Sequence, residues 1–283
     1  MFVAVGYGGR RMSSPDGIQW GHDIVVDPNG GDDDNLFRGV GYANGAFIAV
    51  GGSAKGQNAV SSNAQDWAFH DPATAWLADV VLLNGALVTA GGNGLRQRSL
   101  DGGLTWVDPG DYYAGHFRGI AAGNGLAVAA GHTYGNSMSG LSTTTTDGQT
   151  WTPMVVGGTP FHSVAFGKNV FVAAGDGRCS TSADGQTWTD CAGVSGSGLD
   201  AVVFANDQFI VGNASGYFLS SDGLSWQHQD AEHHSVAAFG LGLYIGLDWP
   251  DKIYSSPDLT TWTIRQQNTG PAFVQVAFGS VVP

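Results

Sequence analysis

The chain has 283 residues, of which 45 are glycine, and its formal charge is -13. Glu232 is the sole glutamate and only three lysines occur, so long solvated helices lack their usual residues, which excludes helical bundles and coiled coils. The negative charge disfavours nucleic acid and anionic membranes as partners, and no apolar run is long enough to span a membrane. A hydrophobic share of 42% still supports a sizeable core, which favours a β protein rich in tight turns.

A repeated phrase organises the chain. Its pattern is S-x-D-G-x-x-W. Thr145 replaces the Ser before Asp147, Asn63 replaces the Asp in the second unit, Leu259 replaces the Gly in the seventh, and the third unit has one extra residue between Asp101 and Trp106. The closing tryptophans lie 36 to 47 residues apart, at Trp20, Trp67, Trp106, Trp151, Trp188, Trp226 and Trp262. A period of this length indicates a repeat architecture.

Two apolar runs precede each phrase. In chain order the first runs include residues 40–42, 80–82, 164–166 and 202–204, and the second runs include residues 2–5, 47–50, 171–174 and 209–211. Asn-Gly joins the two runs at residues 44–45, 84–85 and 124–125, which is the strongest short signal for a two-residue hairpin. Each unit therefore reads as four antiparallel strands, and seven such units predict an all-β, seven-bladed β-propeller.

The two ends of the chain are expected to share one blade. Residues 273–278 read as a first strand without successors, while Met1 begins at a second strand. We therefore predict a single propeller domain over residues 1–283. Its shared blade comprises 1–35 and 272–283, and the further blades approximate to 36–75, 76–115, 116–160, 161–198, 199–232 and 233–271.

The phrase resembles the Asp-box of sialidase-like (BNR-type) propellers, and Ser99, Asp101, Gly103, Thr105 and Trp106 match that box in full. The build is also similar to that of secreted bacterial repeat propellers and of photosystem assembly factors. The resemblance implies the fold and little chemistry, because one fold hosts unrelated functions. Sialidase activity is not expected, since those enzymes use an arginine cluster and a Tyr/Glu pair, whereas Glu232 has no identifiable Tyr partner.

Cys179 and Cys191 stand equally far from Gly185 on either side of a predicted hairpin turn. Directly opposed positions of this kind suit a disulfide, and two free thiols are the alternative. A disulfide would imply an oxidising compartment and hence an extracytoplasmic or secreted protein. The apolar start of the chain is too short for a signal peptide, so either the protein stays in the cytoplasm or an export segment has been removed.

The loops that enter each first strand, and those between second and third strands, form the usual ligand face of a propeller. Alignment of the first strands places one equivalent position at Arg38, Ala78, Arg118, His162, Asp200, His234 and Val274. Most of these residues are polar, which predicts a polar funnel around the axis; ordered channel water is the alternative reading.

Three loops on the same face combine aromatic and polar residues, as sugar-binding sites do. The loop 132–140 carries His132 and Tyr134, and the loop 111–115 carries Tyr112 and Tyr113. The loop 247–252 carries Trp249 and Asp251. Trp76, which also lies outside the repeat, is expected to pack at a strand entrance.

Metal and cofactor signals are weak. Residues 32–34 are consecutive aspartates, but they lack the alternating ligand spacing of calcium loops, and His233 and His234 should point to opposite faces of a strand. We therefore expect neither a metal nor a cofactor.

Three functions remain open. We favour a non-enzymatic propeller that binds a glycan or another small polar ligand. The alternative is a lyase or hydrolase that acts on an anionic glycan or small lactone, in which Arg38 and Arg118 neutralise a carboxylate while His162 or His234 moves a proton. A scaffold that binds another protein through the same face is the third.

Overall fold

The computed structural model describes residues 1–28, 35–135, 138–196, 198–199, 201–250, 252–267 and 269–280. The chain forms two compact units. The first comprises Met1–Val80, Ser99–Trp106 and His234–Pro283, and the second comprises Val81–Arg98 and Val107–His233.

Strands account for most of the described residues, and they are numbered here in chain order. The first ten are β1 (Phe2–Gly6), β2 (Arg11–Ser14), β3 (Gly21–Ile24), β4 (Phe37–Ala43), β5 (Ala46–Gly52), β6 (Gly56–Ser61), β7 (Ala68–Ala73), β8 (Leu77–Leu83), β9 (Ala86–Gly91) and β10 (Arg96–Ser99). The next eight are β11 (Gly115–Gly123), β12 (Leu126–Thr133), β13 (Gly140–Thr145), β14 (Val155–Val156), β15 (Ser163–Gly167), β16 (Val170–Gly175), β17 (Arg178–Ser182) and β18 (Thr189–Ser195). The last nine are β19 (Val202–Ala205), β20 (Gln208–Asn213), β21 (Gly216–Ser220), β22 (Gln227–Asp230), β23 (Ser235–Gly240), β24 (Leu243–Asp248), β25 (Lys252–Ser256), β26 (Thr263–Gln267) and β27 (Phe273–Phe278). Short 3-10 turns occur at Tyr7–Gly9 and Gly92–Gly94.

Within the described ranges these strands form seven antiparallel sheets, which confirms the predicted seven-bladed β-propeller. The sheet orders are β27-β1-β2-β3, β4-β5-β6-β7, β8-β9-β10, β11-β12-β13-β14, β15-β16-β17-β18, β19-β20-β21-β22 and β23-β24-β25-β26. The pairing of β27 with β1 completes a blade from both ends of the chain, as predicted. The sheet of β8–β10 differs from the prediction, because an isolated bridge between Arg98 and Val107 stands where the other sheets have a fourth strand.

The hairpin turns have the predicted backbone. Asn84 and Gly85 both have positive φ, at 49° and 87°, and the other two Asn-Gly pairs share this geometry. Positive φ at both central residues gives the turn a twist that matches the flanking strands. Lys168 and Asn169 adopt the same backbone without glycine, so the turn type extends beyond the units with the Asn-Gly signal.

The S-x-D-G phrase forms a compact hydrogen-bonded turn. In the turn at Ser182, the serine Oγ accepts from the Gly185 N–H at 2.8 Å, and Asp184 Oδ1 accepts from the N–H groups of Gln186 and Thr187 at 2.8 and 2.7 Å. The glycine position has positive φ, and Leu259 keeps this backbone where it replaces glycine. The repeated Asp is thus explained by turn formation.

Glycines also permit close approach between neighbouring first strands of the same unit. A Cβ on Gly167 would lie 2.2 Å from Phe204 Cδ2, and one on Gly123 would lie 1.9 Å from Phe166 Cδ1. An aromatic ring thus occupies the space beside each of these glycines. Part of the glycine surplus follows from this packing.

The core lies between sheets. In the second unit Phe117, Val88 and Leu141 form one buried cluster, and Phe209 packs with Val172 in another. The repeated tryptophans sit at the edges of such clusters: the Trp188 ring lies 4.9 Å from that of Phe161. The apolar residues of these clusters come from the apolar runs of adjacent strands. Each short unit therefore contributes side chains to a core that it shares with its neighbours.

Cys179 and Cys191 form a disulfide between β17 and β18, with the Cα atoms 5.4 Å apart, as predicted. Both residues are buried in the cluster that contains Leu199 and Val202. A disulfide suggests an oxidising environment. Across the described ranges, no helix has the length and apolar character needed to cross a membrane.

Candidate functional site

The predicted site residues divide between the two units. The second unit contains Arg118, His132, His162, Tyr134, Tyr112 and Tyr113, whereas the first contains Arg38, His234 and Trp249. Asp200 and Asp251 lie outside the described residues, as do the aspartates at 32–34.

A β-bulge positions Arg118. The register between β11 and β12 shifts between Phe117 and Gly119, so Arg118 is the extra residue, and its side chain is exposed. Such bulges re-aim a side chain and recur beside functional sites. The bulge brings the backbone of β11 against Gly131, where a Cβ would lie 1.8 Å from the His116 carbonyl oxygen. Gly131 is therefore required for the local geometry that presents Arg118.

His132 holds the guanidinium of Arg118. Arg118 Nε donates to His132 Nε2 at 3.1 Å, and His132 Nδ1 lies 3.1 Å from the carbonyl oxygen of Thr133, which can only accept. The imidazole therefore carries its proton on Nδ1 and is neutral. His132 is 6% exposed, and this burial, together with the charge of Arg118, lowers its pKa. A buried neutral imidazole thus orients an exposed cation.

Two further imidazoles border this pair. His162 Nε2 lies 3.3 Å from Asp176 Oδ1, and the His162 ring centroid is 6.1 Å from that of His132. The His116 ring meets His132 edge-on at 5.8 Å. One guanidinium, three imidazoles and one carboxylate therefore gather in the second unit, on β11, on β12 and on two turns of the adjacent blade, in a chain whose formal charge is -13.

Tyr134 adds an aromatic surface to the cluster. Its hydroxyl donates to Asn93 Oδ1 at 2.5 Å, and its ring packs edge-on against His116 at 4.7 Å. The hydroxyl group and the contact with His116 hold the ring in place. The side chain is 45% exposed, so the rest of the ring faces solvent. We call the group of Arg118, His132, His162, Tyr134 and His116 the Arg118 cluster.

Tyr112 and Tyr113 lie in a neighbouring loop with different environments. Tyr112 is exposed, and its hydroxyl donates to Asp108 Oδ2 at 2.5 Å. Tyr113 packs against the cluster of Phe117 and Leu141 in the core. The loop is anchored by the buried Arg96, whose Nη2 lies 2.8 Å from Asp111 Oδ1.

Arg38 of the first unit also occupies a β-bulge. The register shifts between Phe37 and Gly39, and Arg38 Nε donates to the carbonyl oxygen of Gly52 at 3.0 Å. Its guanidinium lies 4.8 Å from the centroid of the Trp76 ring, a cation–π contact. The structure therefore gives Trp76 a packing partner at the strand entrance, as predicted.

His234 and Trp249 contrast strongly in exposure. His234 is 1% exposed, stacks on Tyr254 at 3.9 Å, and its Nδ1 lies 3.0 Å from Asp248 Oδ1. These contacts tie it into the interior of its blade. Trp249 is 72% exposed, and its ring meets Tyr7 edge-on at 5.4 Å.

Asp79, on β8 in the first unit, was not singled out from the sequence. Burial raises the pKa of its carboxyl to about 7, although the N–H of Val80 donates to Oδ1 at 2.8 Å and opposes this. A Cβ on Gly39 would lie 2.8 Å from the same oxygen. The carboxyl group therefore packs tightly against the backbone of β4.

The sequence also did not reveal that Asn93 contacts Tyr134, that His116 contacts His132 or that Asp176 contacts His162. His116 had a signal, because it lies two residues before Arg118 and pairs in register with His132. Asn93 and Asp176 come from other strands' turns, and both have positive φ. A sequence motif within one repeat does not predict which turns of adjacent blades come into contact. Among the described residues, no group of three or more His, Cys, Asp or Glu could hold a metal.

Comparisons with known proteins agree with the fold. Residues 113–233, which include the Arg118 cluster, match the family model described as the DUF6242 beta propeller domain. The crystal structure of the computationally designed protein Ika8 is similar, with a TM-score of 0.51 and 12% identity over 88% of this chain and 92% of that chain. At this identity the likeness shows the fold alone. No curated protein matches the chain. The chain is therefore a β-propeller by its strand order and by both matches.

Proposed function

We propose that the protein is a non-enzymatic propeller that binds a carbohydrate at the Arg118 cluster. One observation carries the proposal: the half-exposed ring of Tyr134, fixed by Asn93 and His116, is linked by the contact between the His116 and His132 rings to the guanidinium that His132 orients. An aromatic face covers the apolar C–H side of a sugar ring, while guanidinium and imidazole groups bond its hydroxyls. Fixed side chains lose little entropy on binding, which favours affinity.

We also propose that the protein acts outside the cytoplasm and is related to secreted Asp-box propellers. The buried disulfide and the hydrogen-bonded S-x-D-G turns support both statements. The predicted ligand roles of Trp249, Asp251, Tyr112 and Tyr113, and of the funnel residues Arg38, Asp200 and His234, stay predictions.

A glycan array followed by calorimetric titration tests the function. We expect at least one saccharide to bind, with affinity lost in Tyr134→Ala and largely kept in Tyr134→Phe, which retains the ring. Loss in Trp249→Ala together with full binding in Tyr134→Ala would move the site to the first unit and contradict our placement. Silence across diverse neutral and acidic glycans would overturn the proposal.

One observation favours the enzymatic alternative. His162 lies 3.3 Å from Asp176, a pairing that would orient an imidazole for proton transfer near Arg118. A lyase acting on uronate polymers would create an unsaturated product that absorbs ultraviolet light. Absorbance that grows with enzyme and disappears in His162→Ala would establish this activity, and a flat trace at high protein concentration would exclude it for those polymers.

A further inference from the structure

Three polar side chains of one blade in the second unit follow one another in contact. Ser215 Oγ lies 3.3 Å from His228 Nε2, and His228 Nδ1 lies 3.3 Å from Asp230 Oδ1. Ser215 is in the turn between β20 and β21, while His228 and Asp230 are two positions apart on β22 and so share one face of the sheet. We call these residues the Ser215 triad. The order of hydroxyl, imidazole and carboxylate is the one that activates a serine nucleophile.

The positions of the protons follow from the contacting groups. The Asp230 carboxylate only accepts, so a neutral His228 carries its proton on Nδ1 and presents the lone pair of Nε2 to the Ser215 hydroxyl. Asn213 Oδ1 accepts from the Ser215 N–H at 3.1 Å and also lies 3.3 Å from Ser215 Oγ and 3.4 Å from His228 Nε2. Once Nε2 has taken the serine proton, it can donate to this amide oxygen. An acceptor therefore lies beside each nitrogen of the imidazolium.

Backbone contacts hold Ser215 close to His228. The carbonyl oxygen of Ser215 accepts from the Ala231 N–H at 3.3 Å, at the end of β22. Gly216 follows with a φ of 146°, and a Cβ there would lie 2.1 Å from the carbonyl oxygen of Gln229. Only glycine therefore lets the turn approach β22 this closely. The hydroxyl and the imidazole are thus held near each other by the fold itself.

The repeat does not account for the serine. The equivalent turn of the preceding blade consists of Asp176 and Gly177, between the paired residues Gly175 and Arg178. A serine is therefore not needed to form such a turn. Ser215 is exposed, so a reagent can reach its hydroxyl from solvent.

We propose that Ser215 is a nucleophilic serine, activated by His228 and Asp230, that takes up an acyl group from an activated ester. Ser215 Oγ forms a bond to the carbonyl carbon of the ester, and the bond from that carbon to the leaving oxygen breaks. The serine proton passes to His228 Nε2 and then to the leaving oxygen, so the products are acyl-Ser215 and an alcohol or phenol. The inference is independent of the proposed function, because Arg118 lies on another blade and the acyl transfer involves no carbohydrate.

Reaction with p-nitrophenyl acetate tests the inference. Mass spectrometry of peptides taken over time locates the acetyl groups and gives the rate at each site. We expect acetylation of Ser215, and a rate there at least about a hundredfold lower in His228→Gln, since a positioned general base contributes about 10²–10⁴-fold. Acetyl groups on the N-terminal amine and the lysines, with Ser215 unmodified, would overturn the inference.

Asp230 is a positioning residue, because it acts through His228. Asp230→Asn should slow the acetylation of Ser215, and Asp230→Glu should restore part of the rate because a carboxylate again accepts from Nδ1. Asp230 is exposed, and water weakens such a pairing, so the loss should be smaller than in His228→Gln. Equal rates in the wild type and Asp230→Asn would overturn the role of the carboxylate.

Ser221→Ala is the matched control, because it removes another exposed hydroxyl group from the same blade. It should leave the rate at Ser215 unchanged. Circular dichroism and the urea midpoint check that each variant keeps the fold of the wild type. Equal rates of Ser215 acetylation in the wild type and in a folded His228→Gln variant would overturn activation by the imidazole.

Discussion

The Nε of Arg118 donates a hydrogen bond to His132 Nε2, and His132 Nδ1 in turn donates to the carbonyl oxygen of Thr133. The backbone therefore fixes the imidazole, and the imidazole fixes the guanidinium. This order of donors and acceptors exists only while His132 is neutral. A protonated imidazole would turn Nε2 into a second donor facing Arg118, and the hydrogen bond would be lost. The orientation of Arg118 is therefore tied to the protonation state of His132.

This relationship predicts an acid-sensitive contribution of His132 to stability. Burial lowers its pKa in the folded state below the ordinary value of about 6.5, so the unfolded chain binds the proton first. The contribution is therefore present above about pH 6.5 and falls as the pH drops below that value. Urea unfolding of the wild type and of His132→Gln at pH 7.5 and pH 5.5 should show a smaller pH effect in the variant. An identical pH effect in both proteins would contradict the neutral assignment.

The sequence predicted the blades well because their signals are local. An Asn-Gly pair such as Asn84-Gly85 specifies its own turn, and the spacing of Cys179 and Cys191 about Gly185 specifies their register. The Arg118 cluster was only partly predictable. Alignment found Arg118 and His162, but the bulge at Arg118 depends on backbone pairing with Gly131, a contact between strands that no motif of one strand records.

Two histidines at equivalent positions of the repeat differ in how deeply they are buried. His162 and His234 align at the same place in their repeats, yet His162 borders Asp176 at the surface while His234 stacks on Tyr254 in the interior. The difference comes from the neighbouring side chains of β25 and of the turn before β26, where Tyr254 and Trp262 enclose His234. Repeat position alone does not report that environment.

The S-x-D-G turns predict a second acid-dependent loss of stability. The N–H groups of Ser225 and Leu224 donate to Asp222 and lower its pKa to about 2, against about 3.9 in the unfolded chain. Stabilisation by this carboxylate is therefore present above about pH 4 and is lost as the pH falls from there through about 2. Asp222→Asn should fold, and its urea midpoint should fall less than that of the wild type between pH 5 and pH 2.5.

Asn63 supplies the reciprocal control for that experiment. Its Oδ1 already accepts from the N–H groups of Gln65 and Asp66 at 2.9 and 2.8 Å, so an amide fits the same turn. The Asn63 amide nitrogen also donates to Asp66 Oδ2 at 2.9 Å, and two carboxylates there would repel each other. The double variant Asn63→Asp with Asp66→Asn should therefore add acid sensitivity where Asp222→Asn removes it. Two variants that change in the same direction would show that turn geometry, not the carboxylate charge, governs the effect.

The disulfide predicts a clear stability difference. Cys179 and Cys191 close a short loop with a sequence separation of 12, for which chain-entropy arguments give about 3 kcal/mol. The double variant Cys179→Ser and Cys191→Ser should lose about that much free energy of unfolding in urea. Wild-type protein kept in reductant should match the variant closely. Two thiols that alkylate in native, non-reduced protein would show that the bridge does not form and would remove the support for export.

The close packing of aromatic rings against strand glycines predicts different free energies of unfolding for two glycine-to-alanine variants. A Cβ on Gly167 would lie 2.2 Å from Phe204 Cδ2, so Gly167→Ala must displace that ring, which packs 4.9 Å from Phe209. Overpacking of this kind costs about 1–3 kcal/mol. Gly21 also lies in a strand, but a Cβ there meets nothing within 4 Å, so Gly21→Ala should leave the free energy of unfolding within about 0.5 kcal/mol of the wild type. Urea unfolding of the two variants measures the contrast. Equal stability would mean that the Phe204 ring yields without cost, and close approach would then not explain glycine at this position.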